Sequence, residues 1–346
     1  LLTKIRDQKN IAAKQVLYDS FDAKKNWEQI RKATGRKVHG RIYRMSWYAA
    51  ILILPLMVAI PVWYVDRVKE MERPQYIVDA YFERHKTILE LPGGQIVDLD
   101  TVKNIAKELN EFGVILEEGK GLNYSGIDSI VDNKVEYHRI VVPRGGEYNL
   151  KLADGTDVWM FADSEIRFPT RFKGNKREVY LEGEAYFDVK RDTSKPFIVE
   201  ANSLDVRVLG TEFGVRAYQD EICIRTTLKK GKVSVENKGS GIVLTPGMQA
   251  SFDKETSKMD VQEVNVNLFL AWKDGRLVFD NCSLENILKD LGKWYDFDVR
   301  YEREDARLIP FSLNIKKHDA FAEVLHLLED TGCVEFDIED NIVIVK

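Results

Sequence analysis

The stretch "VRVLGTEFGVRAY", residues 206–218, holds the one residue pair whose order suggests chemistry. Gly210-Thr211 sits between two alternating runs. A threonine hydroxyl that follows glycine can attack the preceding carbonyl when the peptide is held under strain. The peptide becomes an ester, which water then splits, so the chain cuts itself. Glycine on the carbonyl side removes the steric obstacle to that attack. Without the strain the same dipeptide is a tight turn, with glycine supplying backbone angles closed to other residues.

No other motif supports catalysis on a separate substrate. The five histidines (His39, His85, His138, His318, His326) form no HxxxH or HExxH pattern, and there is no nucleophile elbow, phosphate loop or dinucleotide turn. Cys223, Cys282 and Cys333 lack CxxC spacing, so no zinc site is expected. Packed free thiols are the plain reading, with Cys282 and Cys333 the pair able to join in an oxidising compartment. The 56 acidic residues among 346 are what a solvated surface carries, not evidence of paired catalytic carboxylates. The sequence thus implies no turnover enzyme, no metal and no cofactor. Self-cleavage in cis at Gly210-Thr211 is the only candidate reaction.

A strained peptide needs a rigid frame, and the flanking sequence describes one. From Arg139 to about Val266 short alternating runs are separated by turn signals. "YNLKLADGTDVWMF" predicts a hairpin about Asp154-Gly155, and "REVYLEGEAYFDVK" predicts another about Glu182-Gly183. Residues 139–266 are therefore expected to form an all-β domain, a sandwich or solenoid-like stack of sheets. Beyond it the period changes. Ser283 is placed to cap a helix whose Leu284, Ile287, Leu288, Leu291 and Trp294 share a face. Asp319 is placed to cap a second, with Phe321, Val324, Leu325 and Leu328 inward and Gly332 as terminator. The order βαββαββ over 267–346 predicts a small α+β domain, a unit used twice, with sheet edges open to a partner strand. Residues 66–138 read as a stalk or linker, with a hairpin across Pro92-Gly93-Gly94.

The N-terminal part differs in kind. "WYAAILILPLMVAIPVWYV", residues 47–65, runs 19 residues without a charge. At about 1.5 Å per residue it crosses a hydrocarbon core. Trp47, Tyr48, Trp63 and Tyr64 lie at its ends as an aromatic belt would, and its Pro55 and Pro61 are tolerated in membrane helices. Residues 1–46 carry 12 Lys/Arg against 4 Asp/Glu, a net +8; the remainder carries 39 against 52, a net -13. Arg31, Lys32, Arg36, Lys37, Arg41 and Arg44 precede the span, and only Arg67, Lys69 and Arg73 follow closely. The positive flank places the N-terminus in the cytoplasm and the acidic bulk outside, in the periplasm of a Gram-negative cell. An acidic bulk excludes direct nucleic-acid binding. Residues 1–46 look helical, with Leu2, Ile5, Ala12 and Val16 on one face and Ala23, Trp27, Ile30 and Ala33 on another. The expected whole is a multidomain single-pass protein of the inner membrane: a short all-α cytoplasmic segment, one transmembrane helix, an all-β domain and an α+β domain.

Several strings together resemble a known family. "VVPRGGEYNLKLADGTDVWMFADSEIRFP", "REVYLEGEAYFDVKRDTSKPFIVE", "VRVLGTEFGV", "TTLKKGKVSV" and "LTPGMQASF" are similar to FecR (ferric citrate regulator) transmembrane anti-sigma factors of the type common in Bacteroidetes. "FLAWKDGRLVFDNCSLENILKDLGKWYDFDV" resembles their C-terminal domain, itself similar to the STN (secretin and TonB N-terminus) fold. "NWEQIRKATGRK" before the apolar run also fits. The resemblance implies that 1–46 is an anti-sigma segment holding an extracytoplasmic-function (ECF) sigma factor. It implies that the outer part receives the signalling domain of a TonB-dependent outer-membrane transporter. Transcription of iron- or glycan-uptake genes would be the output. Some relatives cut themselves at a Gly-Thr bond, which Gly210-Thr211 match, in preparation for an intramembrane protease; Pro55 and Pro61 are then weak points in the span. The competing reading, from the residues alone, is a membrane-anchored periplasmic sensor that binds a glycan or small ligand.

Overall fold

The computed structural model describes residues 86–100, 114–117, 121–125 and 135–346. The expected cytoplasmic helices (1–46) and membrane span (47–65) lie outside the described residues. Among those described, no helix is long and apolar enough to cross a membrane.

Alternating side chains build two sheets that share a strand. In chain order the strands are β1 (Ile88–Glu90), β2 (Ile96–Asp98), β3 (Ile115–Glu117), β4 (Gly121–Asn123), β5 (Tyr137–Val142), β6 (Tyr148–Lys151), β7 (Asp157–Met160), β8 (Ser164–Pro169) and β9 (Arg177–Asp188). They continue as β10 (Phe197–Ala201), β11 (Leu204–Val208), β12 (Glu212–Ala217), β13 (Cys223–Lys230), β14 (Val233–Asn237), β15 (Ser240–Leu244), β16 (Met248–Asp253) and β17 (Met259–Glu263). One sheet runs β2-β1-β5-β8-β9-β10-β11-β14-β15. The other runs β3-β4-β6-β7-β9-β12-β13-β16-β17. Every second residue turns inward, and both sheets feed one core that includes Ile140, Ile166, Phe187, Phe197, Phe213 and Phe252. Phe187 of the shared strand stacks on Phe213 of one sheet with centroids 5.3 Å apart and meets Phe197 of the other at 6.1 Å.

Two expectations are corrected here. The predicted hairpin about Glu182-Gly183 is instead one strand of twelve residues, β9. Its first half pairs with β8 and, in parallel, with β10; its second half pairs with β7 and β12. Gly183 is the crossing point. Its φ is +93°, and a Cβ there would lie 2.6 Å from Ser164 Cα. The Ser164 hydroxyl accepts from the Glu184 N–H at 2.8 Å, so the strand bends against β8 instead of reversing. The other difference concerns 66–138, read as a stalk. Its β1 pairs with β5 and its β4 with β6, burying Leu89, Val97 and Leu122, so these strands extend both sheets. The hairpin across Pro92-Gly93-Gly94 is present as β1–β2.

A four-residue turn of helix, α1 (Val266–Phe269), and a 3-10 turn (Ala271–Asp274) lead into the second domain. It comprises β18 (Arg276–Ser283), α2 (Leu284–Tyr295), β19 (Asp298–Tyr301), β20 (Pro310–Lys316), α3 (Phe321–Glu329), β21 (Phe336–Glu339) and β22 (Ile342–Val345). The expected order βαββαββ is found, but as two small sheets, β18–β20 and β19–β22–β21. The Ser283 hydroxyl accepts from the Asn286 N–H at 3.4 Å and starts α2, as its position predicts. Asp319 does not cap α3. Ala320 takes that position, and Asp319 accepts from the Lys316 N–H at 2.8 Å, closing the preceding turn.

Candidate functional site

Two places carry the functional argument. The first is Gly210-Thr211, in the short link from β11 to β12. Backbone bonds pin both sides of it: Asp192 N–H to the Leu209 carbonyl (2.8 Å) and Val189 N–H to the Thr211 carbonyl (3.0 Å). Gly210 has φ +150°, a value that side-chain-bearing residues rarely adopt, and a Cβ would sit 2.6 Å from Arg191 Cα. Thr211 is buried, and its Oγ1 donates to the Lys232 carbonyl at 3.0 Å. Gly231, at φ +101°, faces this bond; a Cβ there would meet Thr211 Oγ1 at 2.8 Å and the Gly210 carbonyl oxygen at 3.2 Å. Two glycines thus let hydroxyl, carbonyl and neighbouring backbone crowd together. This is constrained backbone of the kind from which Oγ1 could attack the Gly210 carbonyl carbon. The hydroxyl donates to the Lys232 carbonyl and accepts from the Lys232 N–H at 3.4 Å, and neither group is a base that would activate it.

The next residue brings acid. Glu212 accepts from the Tyr186 hydroxyl at 2.9 Å and pairs with Lys230 at 3.4 Å. Burial works against its charge, but these hydrogen bonds and the charges of Lys229 and Lys230 outweigh it and hold its carboxyl below the ordinary range. Asp188, opposite Glu212 in the β9–β12 register, is pushed upward by burial and by the Glu212 and Asp157 charges.

The second place is the junction of the two domains. Phe161 and Ala162 leave the sheets and enter the core of the second domain, where Phe161 stacks on Trp294 with centroids 5.6 Å apart. Arg144 donates to the carbonyls of Gly292 (3.0 Å) and Phe297 and pairs with Asp298 (2.9 Å). Lys317 pairs with Glu147, and Lys293 reaches Asp220 at 3.2 Å. At the centre Arg216, on β12, binds Glu184 (2.8 Å), Glu221 (2.5 Å) and, across the junction, Asp290 of α2. A carboxylate of the second domain is therefore fastened to a cation six residues from Gly210.

Known proteins fit this two-part architecture. The family model described as "FecR protein" matches residues 138–234, and that described as "FecR, C-terminal" matches 276–345. The chain belongs to the FecR family. Two crystal structures of a candidate anti-sigma factor from Parabacteroides distasonis, at 1.65 and 2.50 Å resolution, are similar to it. Each is 27% identical, with a TM-score of 0.56, and the match covers 60% of this chain and 98% of the other. No curated protein sequence matches the chain.

Gly210, Thr211 and Arg216 fall within the FecR match, Asp290 and Lys293 within the FecR C-terminal match. The Arg216 hub is invisible in sequence, because Glu184 and Asp290 lie 32 and 74 residues from it. Cys223, Cys282 and Cys333 are free thiols. Among the described residues no group of acids, histidines and cysteines is arranged to hold a metal.

The hub is expected to make the stability of the FecR junction depend on pH. Burial raises Glu184 to about 7, with the Asp290 and Glu221 charges adding to the rise and Arg216 opposing it. Tyr218, whose ring lies 5.1 Å from the Arg216 guanidinium, shares this pocket. A raised carboxyl holds its proton in the folded state where the unfolded chain has released it. Stability therefore falls as pH rises from about 4.5 to about 7, by up to about 3 kcal/mol. Glu184→Gln, neutral throughout, is expected to flatten this slope. Urea midpoints of both proteins between pH 4.5 and 8 check it; parallel profiles would remove Glu184 as the cause.

Proposed function

We propose that the chain is an anti-sigma factor that relays a signal across the inner membrane. In this reading residues 1–46 hold an ECF sigma factor in the cytoplasm. The apolar run 47–65 is the single span. The FecR domain and its C-terminal partner lie in the periplasm and receive the signalling domain of a TonB-dependent outer-membrane transporter. The observation that carries the reading is the pairing, in one chain, of the two FecR domains with a similar structure described as a candidate anti-sigma factor. The charge-free run and its basic N-terminal flank support the topology. Output would be transcription of nutrient-uptake genes.

Co-purification tests it. The membrane-extracted chain should retain a sigma factor, and deletion of residues 1–46 should release it. The same chain should retain a transporter signalling domain through its outer part. Retention of neither partner would end the proposal. Retention of a glycan or other small ligand alone would favour an anchored periplasmic sensor.

The reading includes self-cleavage at Gly210-Thr211, supported by the φ of Gly210, the buried hydroxyl of Thr211 and the close approach of Gly231. The cut would prepare the chain for an intramembrane protease acting near Pro55 and Pro61.

A further inference from the structure

A cavity of about 500 Å³ opens at the start of the shared strand, walled by Asp154, Arg177, Lys190, Arg191, Asp192 and Thr193. Arg177 is 2% exposed, the largest of the fully buried side chains. Its Nη1 donates to Asp154 Oδ2 (2.7 Å) and to the Lys190 carbonyl (2.8 Å), and its Nε to the Lys195 carbonyl (2.9 Å). Nη2 is buried with no hydrogen-bond partner among the described residues. A buried guanidinium donor left open is costly, so its persistence calls for a reason.

The surrounding charges point to one. Both carboxylates of the wall are already engaged, Asp154 with Arg177 itself. Asp154 also accepts from the N–H and hydroxyl of Thr156, and Asp192 from the N–H and hydroxyl of Ser194. Lys190 and Arg191 make no ion pair among the described residues. Behind them, segments 171–177 and 190–195 together hold seven Lys/Arg and one Asp, in a chain of net charge -5. Lys195 ties the two segments together by donating to the Phe172 carbonyl at 2.6 Å. A concave site with uncommitted cations at its rim and a fixed guanidinium in its wall concentrates anions.

We propose that this cavity binds a small molecule through an oxyanion, a phosphate or a carboxylate. Lys190 and Arg191 take its charge, the Thr193 hydroxyl is within the same wall, and Arg177 supplies the buried positive charge beneath. Arginine's planar fork suits either oxyanion. The volume falls in the range of small-molecule sites, roughly 300–1,000 Å³, and exceeds what one inorganic oxyanion fills, so the ligand carries further atoms.

The test is isothermal titration of the whole chain at fixed ionic strength with two probes, inorganic phosphate and glucuronate. Saturable binding of at least one, with a Kd of about 1 mM or tighter, is expected. If phosphate alone binds, the natural ligand is a phosphate ester; if glucuronate binds, it is an acidic sugar or another carboxylate. Lys190→Glu with Arg191→Glu, both on the cavity rim, should weaken binding at least about tenfold with the circular dichroism spectrum unchanged. Lys238→Glu with Lys258→Glu, in the β14–β15 and β16–β17 turns, makes the same change in net charge and should leave binding intact. Three results overturn the proposal: no saturable binding of either probe, binding indifferent to the rim reversal, or equal loss in both double variants.

Discussion

Arg216→Met is expected to destabilise the described part of the chain by about 3–5 kcal/mol, the cost of stripping one partner from a buried ion cluster. Arg216 alone faces three carboxylates. Its Nε donates to both oxygens of Glu221 at 3.0 and 2.9 Å, its Nη1 to Glu184, and its Nη2 to Asp290 of α2. Burial opposes the ionisation of Glu221, but the Arg216 hydrogen bonds and charge outweigh it and keep that carboxyl below the ordinary range. Without the guanidinium three acids face one another, relieved in part by Arg225, 3.2 Å from Glu221, and by the charge of Lys293. Met matches the length of the stem, so lost packing adds little. The domains should also part company. Trp272 and Trp294 lie in the core shared by Phe161 and the second domain, whereas most of the circular dichroism comes from the sheets. In a urea titration the tryptophan signal should move first and the transition should split. Asp290→Asn, which removes only the link across the junction, should cost less and split the transition in the same order. A loss below about 1 kcal/mol for Arg216→Met would mean the hub contributes no more than an exposed ion pair does.

What could be read beforehand was local. Alternation of side chains marked the strands, Asp154-Gly155 and Pro92-Gly93-Gly94 marked their hairpins, and Ser283 marked the start of α2, because each of these depends on neighbours a few residues away. Gly183 misled for the same reason. Glycine after glutamate between two alternating runs looks like a reversal, and only Ser164, nineteen residues earlier, decides that the strand bends and continues into the second sheet. Asp319 offered a cap, but its carboxylate had a nearer donor in the Lys316 N–H. Residues 66–138 looked like a stalk because β1 to β4 are three residues long, and the partners of β1 and β4, the strands β5 and β6, lie further along the chain. Gly210-Thr211 was visible as a dipeptide; its close neighbours Arg191 and Gly231 come from β9's continuation and from the β13–β14 turn. The ion hub and the Arg177 cavity are wholly long-range, and no spacing in the chain announces either.

Thr211→Val is expected to abolish self-cleavage outright: one band on a denaturing gel, where the unaltered chain shows fragments 1–210 and 211–346. Valine keeps the shape and β-branching of threonine and removes only the oxygen that would attack. The loss of its hydrogen bond to the Lys232 carbonyl costs about 1 kcal/mol, too little to unfold the sheets. Thr211→Ser keeps the nucleophile and should restore the two fragments. Gly210→Ala behaves differently. It places a Cβ 2.6 Å from Arg191 Cα in a backbone of φ +150°, so it should lower stability by about 2 kcal/mol or more whether or not the bond is cut. Cleavage in Thr211→Val, or a single band from the unaltered chain, would remove the reaction. The gel must be denaturing, for a reason the topology supplies. β11 before the bond pairs with β10 and β14, and β12 after it pairs with β9 and β13, so a cut leaves both ends clamped in their sheets. Cleavage alone would therefore separate nothing. It would replace one covalent link by hydrogen bonds between strands, and make the release of the C-terminal fragment a matter of how hard a bound partner pulls on it.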